Sequence, residues 1–363
     1  MLSRWLPFED RLVEAEEQID ELKSLSARPE LGATEKKGVL DAISRLEDHK
    51  RNLMQEIFAD LSAWEKVQMA RHPKRPYTLD YIGALCTDWL EIHGDRAFGD
   101  DGAVVAGFAK FKNRAVAIVG HQKGRDTKER AARNFGQPSP EGLRKAQRVM
   151  ELAARFGRPI LSFIDTTGAA CSPAAEERGI SEAIARTQMI MSQLRVPIIP
   201  IITGEGCSGG AIATAVGDRV LMLEHAYYSV IAPESCASIL YRDPAKASES
   251  AETLKITAKD ALGFGVIDEI VAEPLGGAHR DFAAMGENLG EAIERHLKEL
   301  EKLSGPKLVD ARYARFRKLG ILEDSLRDAQ LENAKNDALK NTSKNGSAPD
   351  AKHAAKNGAH RAG

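Results

Sequence analysis

Between residues 104 and 223 the chain repeats one pattern: a short apolar run rich in β-branched residues, then a polar or glycine-rich turn, then a helical stretch. The runs at 104–109, 115–119, 160–164, 198–202 and 220–223 have the length and composition of strands. Helix signals sit between them. Ser139-Pro140-Glu141 supplies a cap, a first-turn proline and an acid for the dipole, and Gly157 with Pro159 ends that helix. A second helix over 176–194 carries Ile180, Ala183, Ile184, Thr187 and Ile190 on one side and stops before Pro197. This alternation specifies α/β architecture.

The flanks have a different composition. From residue 8 to 70 the sequence is charged, with Leu40, Ile43, Leu46, Leu53, Ile57, Leu61 and Trp64 at helical spacing. Arg28-Pro29-Glu30-Leu31-Gly32 interrupts it, which predicts a helical hairpin that either packs on its own chain or docks a partner. His72-Pro73-Lys74-Arg75-Pro76 suits neither helix nor central strand and marks a boundary. The expected organisation is a hairpin over 1–72, an α/β domain over 73–275, a helical region over 276–335 and a disordered polar tail over 336–363.

Lys plus Arg number 51 against 53 Asp plus Glu, so no overall basic excess announces a nucleic-acid partner. The four cysteines form no C-x-x-C pair, which argues against a zinc ribbon or a disulfide framework and for a reduced, cytoplasmic setting. No apolar run approaches the roughly 20 residues of a membrane span. The chain has no G-x-x-x-x-G-K-[ST] phosphate loop, no H-E-x-x-H and no G-x-G-x-x-G opening a helix at the first strand, so it is not expected to hold its own nucleotide or metal.

Chemistry concentrates in three stretches. The segment GEGCSGGAIATA from Gly204 matches G-x-S-x-G around Ser208 and lies between an apolar strand and a helix-compatible run. That setting suits a serine nucleophile, an oxyanion turn whose backbone N–H groups do the work, or glycines that only permit close packing. A hydrolase needs a later acid and histidine, and His225, His279 and His296 are poorly placed for it. The second stretch, Asp165-Thr166-Thr167-Gly168-Ala169-Ala170, follows a strand and belongs at its carboxyl end, where α/β sites collect. The third, Gly120 to Lys128, presents Lys123, Gly124 and Arg125 in a loop that is either solvated or holds a phosphate or carboxylate.

The motifs RHPKRPYTLDYI, GDRAFGDD, GHQKGRDTKE, NFGQPSPEGLRKA, AEERGISEAIA, GEGCSGGA and EPLGGAHR together resemble the alpha subunits of bacterial acetyl-coenzyme A carboxylase carboxyltransferase, over about residues 5–325. The resemblance implies a crotonase-like core of repeated strand-strand-helix turns, with the N-terminal helical hairpin and C-terminal helices outside it. It implies transfer of a carboxyl group from carboxybiotin on a separate carrier protein to acetyl-CoA, giving malonyl-CoA for fatty-acid synthesis. The implied partners are a zinc-ribbon-bearing beta subunit, the biotin carboxyl carrier protein and biotin carboxylase, in a heterotetramer of two alpha and two beta chains that alone is active. Carried over by position, the N–H groups of Gly209 and Gly210 face biotin, with Gly168, Ala169, Gly206 and Ser208 around them.

The sequence departs from that family at two places. Asp165-Thr166-Thr167-Gly168-Ala169-Ala170-Cys171-Ser172 stands where D-T-P-G-A-Y-P-G is usual, and Cys207 replaces a glycine. Two other readings keep their place: a stand-alone crotonase-type hydratase or isomerase using Glu205 and Glu234 as paired acids, and a non-catalytic scaffold.

Overall fold

A computed structural model of the chain describes residues 6–28 and 30–320. One compact unit spans Met1–Lys318; of the second, Leu319–Gly363, only Leu319 and Gly320 are described. The expected tail at 336–363 and the stretch 321–335 of the expected helical region lie outside the described residues.

The N-terminal helices are α1 (Asp10–Ser26), α2 (Ala33–Phe58) and α3 (Ala63–Ala70). Leu12, Phe58, Leu61 and Met69 form a small core between them, and Leu40, read as part of the stripe, is 51% exposed. The stripe does not run unbroken to residue 70. Ser62 and Glu65 form a capping box, each side chain accepting from the other's backbone N–H at 3.2 and 2.8 Å, so a new helix starts there.

The remaining elements, in order, are α4 (Thr78–Leu85), β1 (Cys86–Glu91), β2 (Val104–Phe111), β3 (Arg114–His121), α5 (Thr127–Ala132), α6 (Pro140–Arg155), β4 (Ile160–Thr166), α7 (Pro173–Glu177), α8 (Ile180–Gln193), β5 (Ile198–Cys207), α9 (Ser208–Ala213), β6 (Leu221–Leu223), β7 (Tyr227–Ser229), α10 (Pro233–Tyr241), α11 (Ala247–Leu254), α12 (Ala258–Gly263), β8 (Glu269–Val271), α13 (Phe282–Leu300) and α14 (Gly305–Arg317). The sheet runs β1-β2-β3-β4-β5-β6-β8. β1, β2 and β3 pair antiparallel, and from β3 onward the neighbours are parallel. Helices cover both faces, so β4 and β5 are buried along their whole length, which explains their unbroken apolar runs.

β5 has two partners. Ile201 and Ile202 pair with β6, whereas Glu205, Gly206 and Cys207 pair with β7. Between β4 and β5 the register shifts between Ile164 and Thr166. The register therefore changes just where the two candidate stretches emerge, and Thr166 pairs with Gly206 beyond it.

Three local expectations need correction. The helix read over 176–194 is two helices, because Gly179 adopts φ 80° and ends the first turn at α7. Ser139 opens α6 without using its side chain; its N–H instead donates to Asp101 Oδ2 at 2.7 Å. The turn at 72–76 is packed, not loose: Arg75 is fully buried, forked on Glu273 at 2.6 and 3.0 Å and donating to the Thr203 carbonyl at 2.7 Å. At the other end, α13 inserts Met285, Leu289, Ile293 and Leu297 into the main core. Among the described residues no helix is long and apolar enough to cross a membrane.

Candidate active site

β5 delivers the chain directly into α9, and Ser208, the first helical residue, sits at φ 55°. A non-glycine residue in the left-handed region is strained, and such strain collects at functional turns. Among the described residues no histidine hydrogen-bonds the Ser208 hydroxyl. His279 stacks on His72 with centroids 3.8 Å apart, and His296 binds Glu269 at 2.7 Å. The serine therefore lacks the base that a hydrolase requires.

The glycines that follow are placed differently. The N–H groups of Gly209 and Gly210 fall in the first turn of α9, where no earlier helical carbonyl exists to receive them. As helix-start donors they have no acceptor within α9 itself. A Cβ at Gly210 would lie 2.6 Å from the Gly168 carbonyl carbon and 2.8 Å from the Ala169 nitrogen. Only glycine lets the 168–169 backbone approach so closely. Gly168 itself has φ 149° and faces the Cβ of Ser208, and Gly206 pairs with Thr166 on one side and Tyr228 on the other. Gly168, Ala169, Gly206, Ser208, Gly209 and Gly210 thus form one cluster at two adjacent strand ends.

Lys123 and Arg125 are not part of an open cationic loop. Lys123 is tucked beneath the cluster, with its ammonium 2.6 Å from Asp165 Oδ1 and 2.7 Å from Glu205 Oε1. Arg125 turns the other way, stacking on Tyr77 at 4.2 Å, pairing with Asp80 and donating to the Arg75 carbonyl at 2.9 Å. Gly124, at φ 88°, makes the turn that separates them. Both cations thus face protein groups.

Glu205 is the centre of this floor. Besides Lys123 it accepts from Arg71 Nε and from the Tyr227 hydroxyl, each at 2.7 Å. Burial works against its charge, but Lys123 and Arg71 outweigh that and bring the carboxyl down to about 2. Asp165, wholly buried and beside the Glu205 charge, is pushed upward despite Lys123. Arg71 also holds Glu234 at 2.5 Å, and Glu234 is lowered despite partial burial. The two carboxylates available to a hydratase are therefore both engaged by one guanidinium and held ionised, not poised to give up a proton. A pocket of ≈ 220 Å³ opens above, lined by Arg71, Lys123, Arg130, Phe135, Thr167 and Glu205 among others.

The unusual residues at 167–172 are accommodated. Thr167 Oγ1 accepts from Gln137 Nε2 at 3.0 Å, and Ser172 caps α7 by accepting from the Ala175 N–H at 3.2 Å. Reading the residues alone missed the Arg71–Glu205–Tyr227 network, whose partners lie 134 and 22 positions apart. Arg71 opens the long motif RHPKRPYTLDYI, which was the available signal.

Comparison with known proteins places this geometry. Residues 5–320 match the family described as acetyl co-enzyme A carboxylase carboxyltransferase-like. The chain belongs to that family. It is 54% identical to the acetyl-coenzyme A carboxylase carboxyl transferase subunit alpha of Geobacter metallireducens, over 86% of this chain and 96% of that one. With the corresponding subunit of Geobacter sulfurreducens it shares 58% identity, over 72% of this chain and 82% of the relative. A chain in the crystal structure of a Pseudomonas malonate decarboxylase hetero-tetramer in complex with coenzyme A matches 66% of this chain and 93% of its own length, at TM-score 0.51 and 17% identity. That is a likeness of fold, and the fold is crotonase-like, as the resemblance implied. As a member of this family the chain is a carboxyltransferase subunit, so hydrolysis and hydration give way to carboxyl transfer. Among the described residues no group of three or more His, Cys, Asp or Glu could hold a metal ion.

Proposed function

We propose that the chain is the alpha half of an acetyl-CoA carboxylase carboxyltransferase, which joins a beta subunit to move a carboxyl group from carboxybiotin on a carrier protein to acetyl-CoA. Carboxybiotin supplies an activated carboxyl group, whose departure leaves negative charge on the ureido oxygen. The chain's own task is to bind that oxygen as charge grows there. Gly209 and Gly210 suit it, because two N–H donors stand side by side in the first turn of α9, at a half-buried turn. That pair of helix-start donors, closed in against the Gly168 backbone, is the observation that carries the reading. Gly168, Ala169 and Ser208 border the same spot and Gly206 holds the strand beneath it.

Donors fixed by a strand end need no reorganisation when charge appears, and removing one such donor typically costs about 3 kcal/mol of transition-state stabilisation. The arrangement needs no side-chain base here, which agrees with the engaged states of Glu205 and Glu234. The second substrate, and the donors for its enolate oxygen, belong to the beta subunit on this reading.

The test is malonyl-CoA formation from acetyl-CoA and carboxybiotin by the chain alone, by its mixture with a beta subunit, and by that mixture carrying Gly210→Val. Activity confined to the mixture, and lost in the variant while the complex still assembles, is the expected result. Turnover by the chain alone would overturn the shared site, and an active Gly210→Val complex would remove these donors from it.

A further inference from the structure

Two segments must hold their backbones in one mutual position for the glycine cluster to exist. β4 delivers Thr166 to Ala169 and β5 delivers Gly206 to Gly210, and their pairing has already slipped out of register between Ile164 and Thr166. What spans the slip is ionic. Lys123 Nζ binds Asp165 Oδ1 on β4 at 2.6 Å and Glu205 Oε1 on β5 at 2.7 Å, and Asp165 Oδ1 also accepts the Glu205 N–H at 2.8 Å. Asp165 precedes Gly168 by three residues, and Glu205 precedes Gly209 by four.

The surroundings fix the ammonium in place. Lys123 is 12% exposed in its side chain. The loop Asn134-Phe135-Gly136 covers it with three consecutive positive φ values of 44°, 54° and 76°. A Cβ at Gly136 would lie 2.7 Å from Lys123 Cγ, so the loop closes on the lysine stem only because residue 136 is glycine. Strain of this kind persists where the surrounding structure over-determines it.

We infer that Lys123 is a positioning residue for carboxyl transfer: its ammonium pins the ends of β4 and β5 so that Gly209 and Gly210 face the spot bordered by Gly168 and Ala169. The inference rests on the proposed role of those glycines. Lys123 acts through Asp165 and Glu205 and not on the reacting atoms. Without it, two buried carboxylates face each other across the slip. The charged and titratable groups around them are Arg71 at the C-cap of α3, His121 from β3, Tyr81 from α4, Cys207 from β5, Tyr227 from β7, Glu234 from α10, and Arg75 from the turn before α4. Arg71 is shared with Glu234, and Arg75 is committed to Glu273, so neither replaces the ammonium at Asp165.

The consequence is specific. In Lys123→Met, Asp165 takes up a proton at low pH, which relieves the repulsion; as pH rises both carboxylates ionise and the strand ends separate. The experiment measures kcat, and KM for acetyl-CoA, from pH 5.5 to 8.5 in the reconstituted complex with a beta subunit. Its variants are Lys123→Met and the charge-balanced Lys123→Met/Asp165→Asn, which keeps the measurement possible should the single variant fail to fold.

For Lys123→Met we expect kcat relative to the parent to fall as pH rises, with KM for acetyl-CoA unchanged. For the double variant we expect assembly and a flat pH ratio but kcat still down by about tenfold or more, since small misplacements of donors are costly. A double variant with full kcat overturns the inference, as does a Lys123→Met loss that is equal at every pH. If the parent complex itself transfers no carboxyl group, the functional reading fails first; if the parent is active and both variants match it, only the role of Lys123 falls.

Discussion

The floor and the lip of the site are built on opposite principles. The floor is charge: Arg71, Lys123, Asp165, Glu205 and Tyr227 bind one another at 2.6–2.7 Å, with almost no exposure at the carboxylates. The lip is bare backbone, with Gly209 and Gly210 presenting their N–H groups in the first turn of α9. Side chains with strong internal partners cannot respond to a reacting group without losing those partners. Backbone donors at a helix start respond at no such cost. On the proposed function, the chemistry is carried where the charges are absent, and the charges hold that place still.

The sharpest way to break this contrast is at Gly210. Because a Cβ there meets the Gly168 carbonyl carbon at 2.6 Å, Gly210→Val should lower malonyl-CoA formation by about 100-fold or more, with the complex intact by size-exclusion chromatography. A buried ion pair away from the lip should show the reverse pattern. Arg75→Met leaves Glu273 buried and without its forked partner, and should destabilise the chain by about 3–5 kcal/mol in urea unfolding while the folded fraction keeps its specific activity.

A smaller effect separates the floor from the rest of the interior through pH. Burial lowers His72 to about 4 and His279 to about 3, from an ordinary value of 6.5. Each is neutral when folded and takes up a proton on unfolding below 6.5, so the stability they contribute is whole above that pH and is lost as pH falls toward 4. Glu205, lowered from 4.5 to about 2, contributes stability that is lost only below 4.5. Thermal melts should therefore fall between pH 6.5 and 4 in the parent, and His279→Phe should flatten that limb without touching the one below 4.5. The smallest change is expected at Gly209→Ala, which keeps the N–H and whose Cβ meets only the end of Ile184 at 3.1 Å; carboxyl transfer should stay within about threefold. A large loss there would mean that space at the lip, and not its donors, matters.

Much of the core was legible because burial on both faces leaves a strong signal. The strands read at 104–109, 115–119, 160–164 and 198–202 all lie within strands of the sheet. β7 and β8 were not read, since three residues apiece carry no periodicity of their own and exist through pairing with β5 and β6. At the candidate site, the turn at 204–210 and the segment at 165–170 could be singled out from glycines after apolar runs. Lys123 could be singled out too, but not the direction of its side chain. A loop with three cations looks the same in sequence whether it meets water or two buried carboxylates.

The sequence by itself determined the α/β alternation, the break between α1 and α2, and the glycines that open α9, because strand length, proline and missing side chains act locally. Only the tertiary structure decided that β5 changes partner at Glu205, that Gly210 rests against Gly168, and that Lys123 turns inward between Asp165 and Glu205. Those outcomes depend on groups 22 to 82 positions apart, brought together by burial of the sheet. Charge then followed burial: once Asp165 and Glu205 lay in the interior, an ammonium between them was the arrangement that left the fewest charges uncompensated.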